Sequence, residues 1–299
     1  VAQRAVRKAV AGRVGDLLDQ VAAELEQANL HYGHGTADAR DDAAALVFHA
    51  LRLRHDQVPA AYRRAVTPAG RERVRGLVRR RIEERLPSAY LTGITWFAGH
   101  PIRVTPDVLV PRSPLAELCE RGFEPWIDAA RVQSVLDLGT GSGCIAIAAA
   151  HALPRAQVDA ADLSPAALAV ARDNIRRHRL QRRVRAVLSD VYGGLAGRRY
   201  DVIVSNPPYV SSAEYRGLPA EYRAEPALGL KAAAGGLAIV ARILSGARAH
   251  LQPGGILVVE VGDTEAAVRR RWPRLPFIWL EFERGGGGVF LLGAADLAS

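Results

Sequence analysis

Cysteine is nearly absent: Cys119 and Cys144 are the only two in 299 residues, and both sit in apolar, helix-like surroundings. That speaks against a disulfide framework and against a zinc site, and it points to two buried thiols in a reducing cytoplasm. No uninterrupted apolar run is long enough to span a bilayer, and the N-terminal residues show no apolar signal-peptide core. No membrane association is therefore expected. Lysine is as scarce as cysteine, limited to Lys8 and Lys231, so the net charge of +9 is carried almost wholly by arginine. Such an excess favours an anionic partner such as RNA or a ribosomal particle. It is equally what a GC-rich genome encodes whatever the function, so charge alone decides little. What remains is ordinary for a globular enzyme: 49% hydrophobic and 24% charged residues, enough for one large α/β domain and a smaller one.

Residues 1–92 read as a helical domain. Leu17, Val21 and Leu25, then Ala44, Val47, Phe48 and Leu51, then Val74, Leu77, Val78 and Ile82 recur at i, i+3 and i+4, giving four or five helices. Gly33, Gly35, Pro59 and Pro68 punctuate them. The arginines at 71, 73, 75, 79, 80, 81 and 85 form a basic segment that either touches RNA or an acidic protein, or is a solvated face. Residues 93–114 change character: Trp96 to His100 and Ile102 to Val104 suggest a β-hairpin turning at residues 99–101, a connector between domains. From 115 to 299, strand-like segments at 134–138, 157–161, 184–188, 202–205, 256–261, 277–281 and 288–292 alternate with helical ones at 144–151, 165–178, 236–251 and 264–271. That alternation predicts a doubly wound, mostly parallel sheet. The short link between the last two strands demands a hairpin, so one antiparallel strand should close the sheet.

The segment Val135-Leu136-Asp137-Leu138-Gly139-Thr140-Gly141-Ser142-Gly143-Cys144 is an apolar strand, a glycine-rich turn and the start of an apolar helix. Glycines there let backbone approach a ligand closely. The spacing is G-x-G-x-G, and the strand ends in an acid, Asp137. An acid would repel a pyrophosphate but suits S-adenosylmethionine, which carries ammonium and sulfonium charges. Asp162 ends the second strand, where an open α/β sheet places the acid that grips ribose hydroxyls, and Ser164-Pro165 starts the next helix. Asp190 follows the third strand and has two readings, acceptor for an adenine amino group or helix cap.

Directly after the fourth strand comes Asn206-Pro207-Pro208-Tyr209. The prolines end the strand in a rigid turn. A planar amide or amino nitrogen is a poor nucleophile, because its lone pair is delocalised. The Asn206 side-chain oxygen and the Pro207 carbonyl can hold its two N–H groups, aim it at a sulfonium methyl and favour its pyramidal form. Tyr209 would stack on the flat acceptor and exclude water. No metal and no covalent nucleophile is needed.

With these residues in this order, the chain resembles the N5-glutamine methyltransferases of the HemK/Prm type. It is most similar to the branch acting on large-subunit ribosomal protein L-three. That likeness rests on Tyr32-Gly33-His34-Gly35-Thr36, Ala89-Tyr90-Leu91-Thr92, Trp96-Phe97-Ala98-Gly99-His100 and Val110-Pro111-Arg112-Ser113-Pro114, and further on Glu221-Tyr222-Arg223-Ala224-Glu225-Pro226 and Trp279-Leu280-Glu281-Phe282. The release-factor branch reads proline-arginine-proline around Arg112, so Ser113 speaks for the ribosomal-protein branch; Val191 stands where release-factor enzymes can carry an aromatic near adenine. The resemblance implies a class I S-adenosylmethionine methyltransferase: a Rossmann-like, mostly parallel seven-stranded sheet with an antiparallel strand, plus a small helical N-terminal domain that docks the protein substrate. It implies that Asp137, Gly139, Thr140, Gly141, Ser142, Gly143, Asp162, Asp190 and Asn206 bind the cofactor. Asn206, Pro207, Pro208 and Tyr209 would bind the glutamine. His31, Tyr32 and His34 are read as structural or docking groups. Two rivals stand beside this reading. A nucleic-acid base amino-methyltransferase uses a similar Asn-Pro-Pro-Tyr device on a flipped base, but few aromatic stacking positions are evident in residues 1–92. A non-catalytic ribosome-associated factor would not need an intact Asn206 to Tyr209.

Overall fold

The computed structural model describes residues 12–54, 58–210, 212–230 and 237–298. Lys8, Lys231 and Gly236, the expected first residue of one helix, lie outside the described residues. The chain divides between Thr92 and Gly93 into two compact units.

The smaller unit is helical: α1 (Val14–Gln27), α2 (Ala39–Leu51), α3 (Val58–Tyr62), α4 (Pro68–Glu83) and α5 (Ser88–Thr92). Leu17, Val21 and Leu25 share one core with Leu46, Val47 and Phe48 and with Val74 and Val78, as their helical spacing requires. Local chemistry sets where helices begin. The Asp38 side chain accepts from the N–H groups of Arg40 and Asp41, and Thr67 accepts from Gly70 ahead of Pro68. The basic segment is not one solvated face. Arg81 is buried and pairs with the equally buried Asp42 at 2.7 Å, while its other arm donates to the His31 carbonyl at 2.8 Å. Removing one partner would cost roughly 3–5 kcal/mol, because the surviving charge stays in low dielectric. Arg73 donates to the Ala50 carbonyl at 3.0 Å, and Arg80 pairs with Glu84 at 3.0 Å. His34 is buried, whereas Tyr32 is half-buried against the unit's core and its hydroxyl donates to the Leu25 carbonyl.

The larger unit opens with a hairpin, β1 (Ile94–Phe97) and β2 (His100–Arg103). Ala98 at φ 48° and Gly99 at φ 74° form its two-residue turn, where both central residues need positive φ. The turn thus lies one residue earlier than the sequence suggests, and Pro101 sits inside β2 opposite Trp96. There follow α6 (Leu115–Glu120), β3 (Ser134–Leu138), α7 (Cys144–Ala152), β4 (Gln157–Asp162), α8 (Pro165–Arg177), β5 (Val184–Leu188), β6 (Tyr200–Ser205), α9 (Ser212–Gly217), α10 (Ala227–Leu230), α11 (Leu237–His250), β7 (Leu251–Glu260), α12 (Glu265–Arg271), β8 (Ile278–Trp279) and β9 (Val289–Gly293). Short α6, α9 and α10 escape the periodicity because each is too brief to display a repeat. The hairpin is fastened to α8: buried Asn174 accepts from the Arg103 N–H at 2.8 Å and donates to the Arg103 and Ser142 carbonyls at 2.9 Å.

The sheet has seven strands in the order β5-β4-β3-β6-β7-β9-β8. Its only antiparallel pairings among the described residues are those of β9 with β7 and β8. The expected antiparallel strand exists, but it does not close the sheet; β9 is inserted and β8 is the edge. Burial explains the order. Phe290, Leu291 and Leu292 are buried on successive faces of β9, whereas β8 has two residues and Ile278 is exposed. Cys119 and Cys144 are both buried and free. Among the described residues no helix is long and apolar enough to cross a membrane. Strand order reverses between β3 and β6, so a crevice opens where their carboxyl ends diverge.

Candidate active site

The glycine turn sits at that crevice. Val135, Leu136 and Leu138 are buried in β3, and Gly139 and Gly141 follow at φ 71° and 54°. The N–H groups of Gly139 and Thr140 both donate to the Ala161 carbonyl, at 2.8 and 2.9 Å, which folds the turn over the end of β4. A Cβ at Gly139 or Gly141 would meet no atom within 4 Å, so bare backbone faces open space. Gly143 does a different job. A Cβ there would lie 3.3 Å from the Ala171 Cβ, so the glycine lets α7 pack closely on α8 and does not face the cleft.

The acids divide by position. Asp137 is fully buried beneath the turn, where Oδ2 accepts from the Thr140 hydroxyl at 2.5 Å and the Ala146 N–H at 3.1 Å. Its Oδ1 is buried with no partner among the described residues, and burial pushes the carboxyl up to about 7. It braces the turn rather than lining the cleft. Asp162 does line the cleft: Oδ2 accepts from the Gly141 N–H at 2.9 Å and Oδ1 from the Ser164 N–H at 2.8 Å. Each oxygen retains a second acceptor site. Asp190 also lines the cleft, and no helix begins after it; its carboxylate pairs with Arg242 at 2.9 Å, a hydrogen bond that lowers its pKa. Val191 lies next to it in the wall.

Across the crevice, the Ser205 hydroxyl donates to the Leu138 carbonyl at 2.8 Å and ties the end of β6 to that of β3. Asn206, Pro207, Pro208 and Tyr209 then line the same cleft as Thr140, Ser142 and Asp162; its volume is about 460 Å³, within the range of small-molecule sites. The sequence-predicted residues are thus brought together, apart from Asp137 and Gly143 below the turn.

One residue escaped sequence reading. In the parallel β6–β7 register Ser205 pairs with Val259, which sets Glu260 beside Asn206. Glu260 is 4% exposed and accepts hydrogen bonds from the Ser113 hydroxyl, from the Tyr209 hydroxyl at 3.2 Å and from the Asn206 side chain. Burial raises its carboxyl to about 7 against the opposing effect of those donors. When ionised, the carboxylate can only accept, and in that state Asn206 presents Nδ2 to it and keeps Oδ1 as its free acceptor. Burial and Glu260 together raise the Tyr209 phenol, and its ring rests on Gly262, where a Cβ would come within 2.6 Å of Cε2. The missed signal was an acid ending the apolar run Ile256-Leu257-Val258-Val259, the same pattern that drew attention to Asp137.

The cleft wall joins two further motifs that lie 113 residues apart. Arg112 grips Glu225 with both arms at 2.7 and 2.5 Å and lies over the Tyr222 ring at 5.1 Å; Glu225 also accepts from the Val110 N–H. Trp279 instead packs on Phe290 at the far edge of the sheet.

The family model "Methyltransferase small domain" matches residues 125–220, and "PrmC N-terminal domain" matches residues 16–93. A ribosomal protein uL3 glutamine methyltransferase of Xanthomonas campestris pv. campestris is 45% identical over 282 residues, 94% of this chain and 91% of that protein. The Bordetella pertussis protein of the same name is 43% identical over 283 residues, 94% and 95% of the two chains. Among solved structures, the hMettl16 catalytic domain in complex with an RNA hairpin superposes with TM-score 0.52 at 18% identity over 75% of this chain and 80% of that one, a likeness of fold. With identity at this level over nearly its whole length, the chain belongs to the ribosomal protein uL3 glutamine methyltransferase family.

Proposed function

We propose that this methyltransferase uses S-adenosylmethionine to methylate the side-chain amide nitrogen, N5, of a glutamine in large-subunit ribosomal protein L-three (uL3). The observation that carries the reading is the single cleft that brings Asn206, Pro207, Pro208 and Tyr209 together with the glycine turn and Asp162.

The cleft fits the cofactor. Its glycine turn is bare of side chains, its walls carry the acids Asp162 and Asp190, and Asp137 lies below with one unpartnered oxygen. Negative charge on this side suits a cationic ligand. Bound S-adenosylmethionine would supply a methyl group on a positively charged sulfur, so no covalent nucleophile from the chain is required. Gly139, Thr140, Gly141 and Ser142 would hold its amino-acid portion, Asp162 the ribose hydroxyls and Asp190 the adenine amino group. Asp137 and Gly143 would contribute by shaping the turn.

Asn206 Oδ1 and the Pro207 carbonyl would accept the two N–H groups of the substrate amide. Holding both weakens the conjugation of the nitrogen lone pair and orients it for in-line transfer. Pro208 keeps that carbonyl in place, and Tyr209, fixed by Glu260 and Gly262, covers the flat amide and excludes water. Proton loss can follow transfer, so no general base is assigned. Residues 1–92 would dock the protein substrate, residues 93–114 carry the hairpin, and residues 115–299 perform the chemistry. A ribosomal-protein substrate places the reaction in the cytoplasm, and the arginines that stay at the surface of residues 71–85 are the candidates for ribosomal RNA contact.

The test is transfer of tritiated methyl from the cofactor to purified uL3, a peptide release factor and nucleic acid in parallel. Label in uL3, mapped by mass spectrometry to one glutamine, is the expected result. Label in the release factor or in base amino groups, with none in uL3, would assign the cleft to another acceptor.

A further inference from the structure

Three histidines from three different elements meet on the larger unit, and none of them lines the cleft. His100 begins β2, His151 lies in the last turn of α7, and His178 caps the end of α8. Their ligand-capable nitrogens all lie within 4.8 Å of one another. His151 Nε2 and His178 Nδ1 are 3.2 Å apart. Two ligands of a tetrahedral zinc, each at about 2.0–2.1 Å, stand about 3.4 Å from each other.

The tautomer of His178 follows from its surroundings. Its Nε2 lies 2.9 Å from the Pro101 carbonyl oxygen, which can only accept, so Nε2 carries the proton and Nδ1 turns a lone pair toward His151. Donation of the remote ring N–H to a backbone carbonyl is how metal-binding histidines are commonly oriented. The supports are rigid. Asn174 fastens β2 to α8, Arg103 pairs with Asp173 at 2.9 Å, and Gly143 seats α7 against α8. Both α7 and α8 also end here, so the negative ends of two helix dipoles face the cluster and favour a cation.

From this arrangement we propose that His100, His151 and His178 form a binding site for a borderline divalent transition-metal cation, Zn²⁺ above all, with water in the remaining position. The His100 ring stacks on His151 at 4.2 Å and 17°, and it turns out of that stack to bring its lone pair to the ion. The cation joins the β1–β2 hairpin to α7 and α8. Its role is to stiffen the two helices whose opposite ends carry the glycine turn and the Asp162 loop. Hard cations such as Mg²⁺ prefer oxygen ligands and are not bound.

The experiment uses the full chain without an affinity tag, stripped with chelator and titrated with Zn²⁺ by calorimetry. One equivalent should bind with micromolar or tighter affinity, and Zn²⁺ at about 100-fold above Kd should raise the thermal midpoint by roughly 5–10 °C. His151→Gln and His178→Gln should each weaken binding at least tenfold while circular dichroism stays unchanged. Should either variant fail to fold, electron paramagnetic resonance of Cu²⁺ bound to the wild type decides the matter: three nitrogen donors support the site, and fewer overturn it. Absence of saturable Zn²⁺ binding, or affinity unaltered in the folded variants, would equally overturn it.

Discussion

Replacing Glu260 by glutamine tests the geometry on which the chemistry rests. The buried carboxylate receives donors from Ser113, Tyr209 and Asn206. Glutamine keeps the shape but offers one acceptor oxygen and an NH₂ group. That NH₂ must face at least one donor unless Asn206 flips and turns its oxygen toward position 260. In the flipped state the substrate amide meets N–H instead of an acceptor. Loss of one oriented group aimed at the transition state lowers turnover about 10²–10³-fold, so E260Q should lose about 10²-fold in kcat while cofactor affinity stays within about twofold. A second consequence is independent of catalysis. The carboxyl moves from 4.5 to about 7 on folding, so the native state holds this proton more tightly than the unfolded chain. That contribution to stability is complete below the unfolded value and is lost as pH rises through about 7, a change of roughly 3 kcal/mol at most. Denaturation of both proteins at pH 4.5 and pH 8 should therefore show E260Q gaining on the wild type at the higher pH. Turnover within about threefold of wild type, or a stability difference that ignores pH, would refute the assignment.

Three other variants follow from the same site. Asn206→Ala should leave cofactor binding unchanged by calorimetry and lower methyl transfer by roughly 10² or more, because its acceptor matters most as the nitrogen pyramidalises; near-normal turnover would remove its role. Asp162→Ala removes the acceptors for Gly141 and Ser164 together with the proposed ribose contact. It should weaken cofactor affinity about tenfold or more, and unchanged affinity would exclude that contact. Gly262→Ala sets a methyl 2.6 Å from Tyr209 Cε2 at a positive φ of 50°. The ring must move, and kcat should fall with little change in cofactor affinity; activity equal to wild type would show that the placement of Tyr209 is not critical.

Much of this protein could be read along the chain because local physics governs those parts. Alternation of apolar strands with helical spacing announced the doubly wound sheet, Ser164-Pro165 announced the start of α8, and the G-x-G-x-G and Asn-Pro-Pro-Tyr segments announced the ends of β3 and β6. Each signal lies within a few residues and needs no partner elsewhere. What the chain could not disclose depends on groups distant in sequence. Arg81 counted as one arginine in a basic stripe until Asp42, 39 residues away, proved to hold it in the interior. Glu260 became visible as a partner of Asn206 only once β7 was laid beside β6, and the histidines at 100, 151 and 178 have no ligand spacing in one dimension. The insertion of β9 inside β8 was likewise a matter of which strand has apolar residues for both faces. Sequence fixes a residue's own torsional and burial preferences; the pairing of charges, acceptors and strand edges is decided by the free energy of the assembled fold.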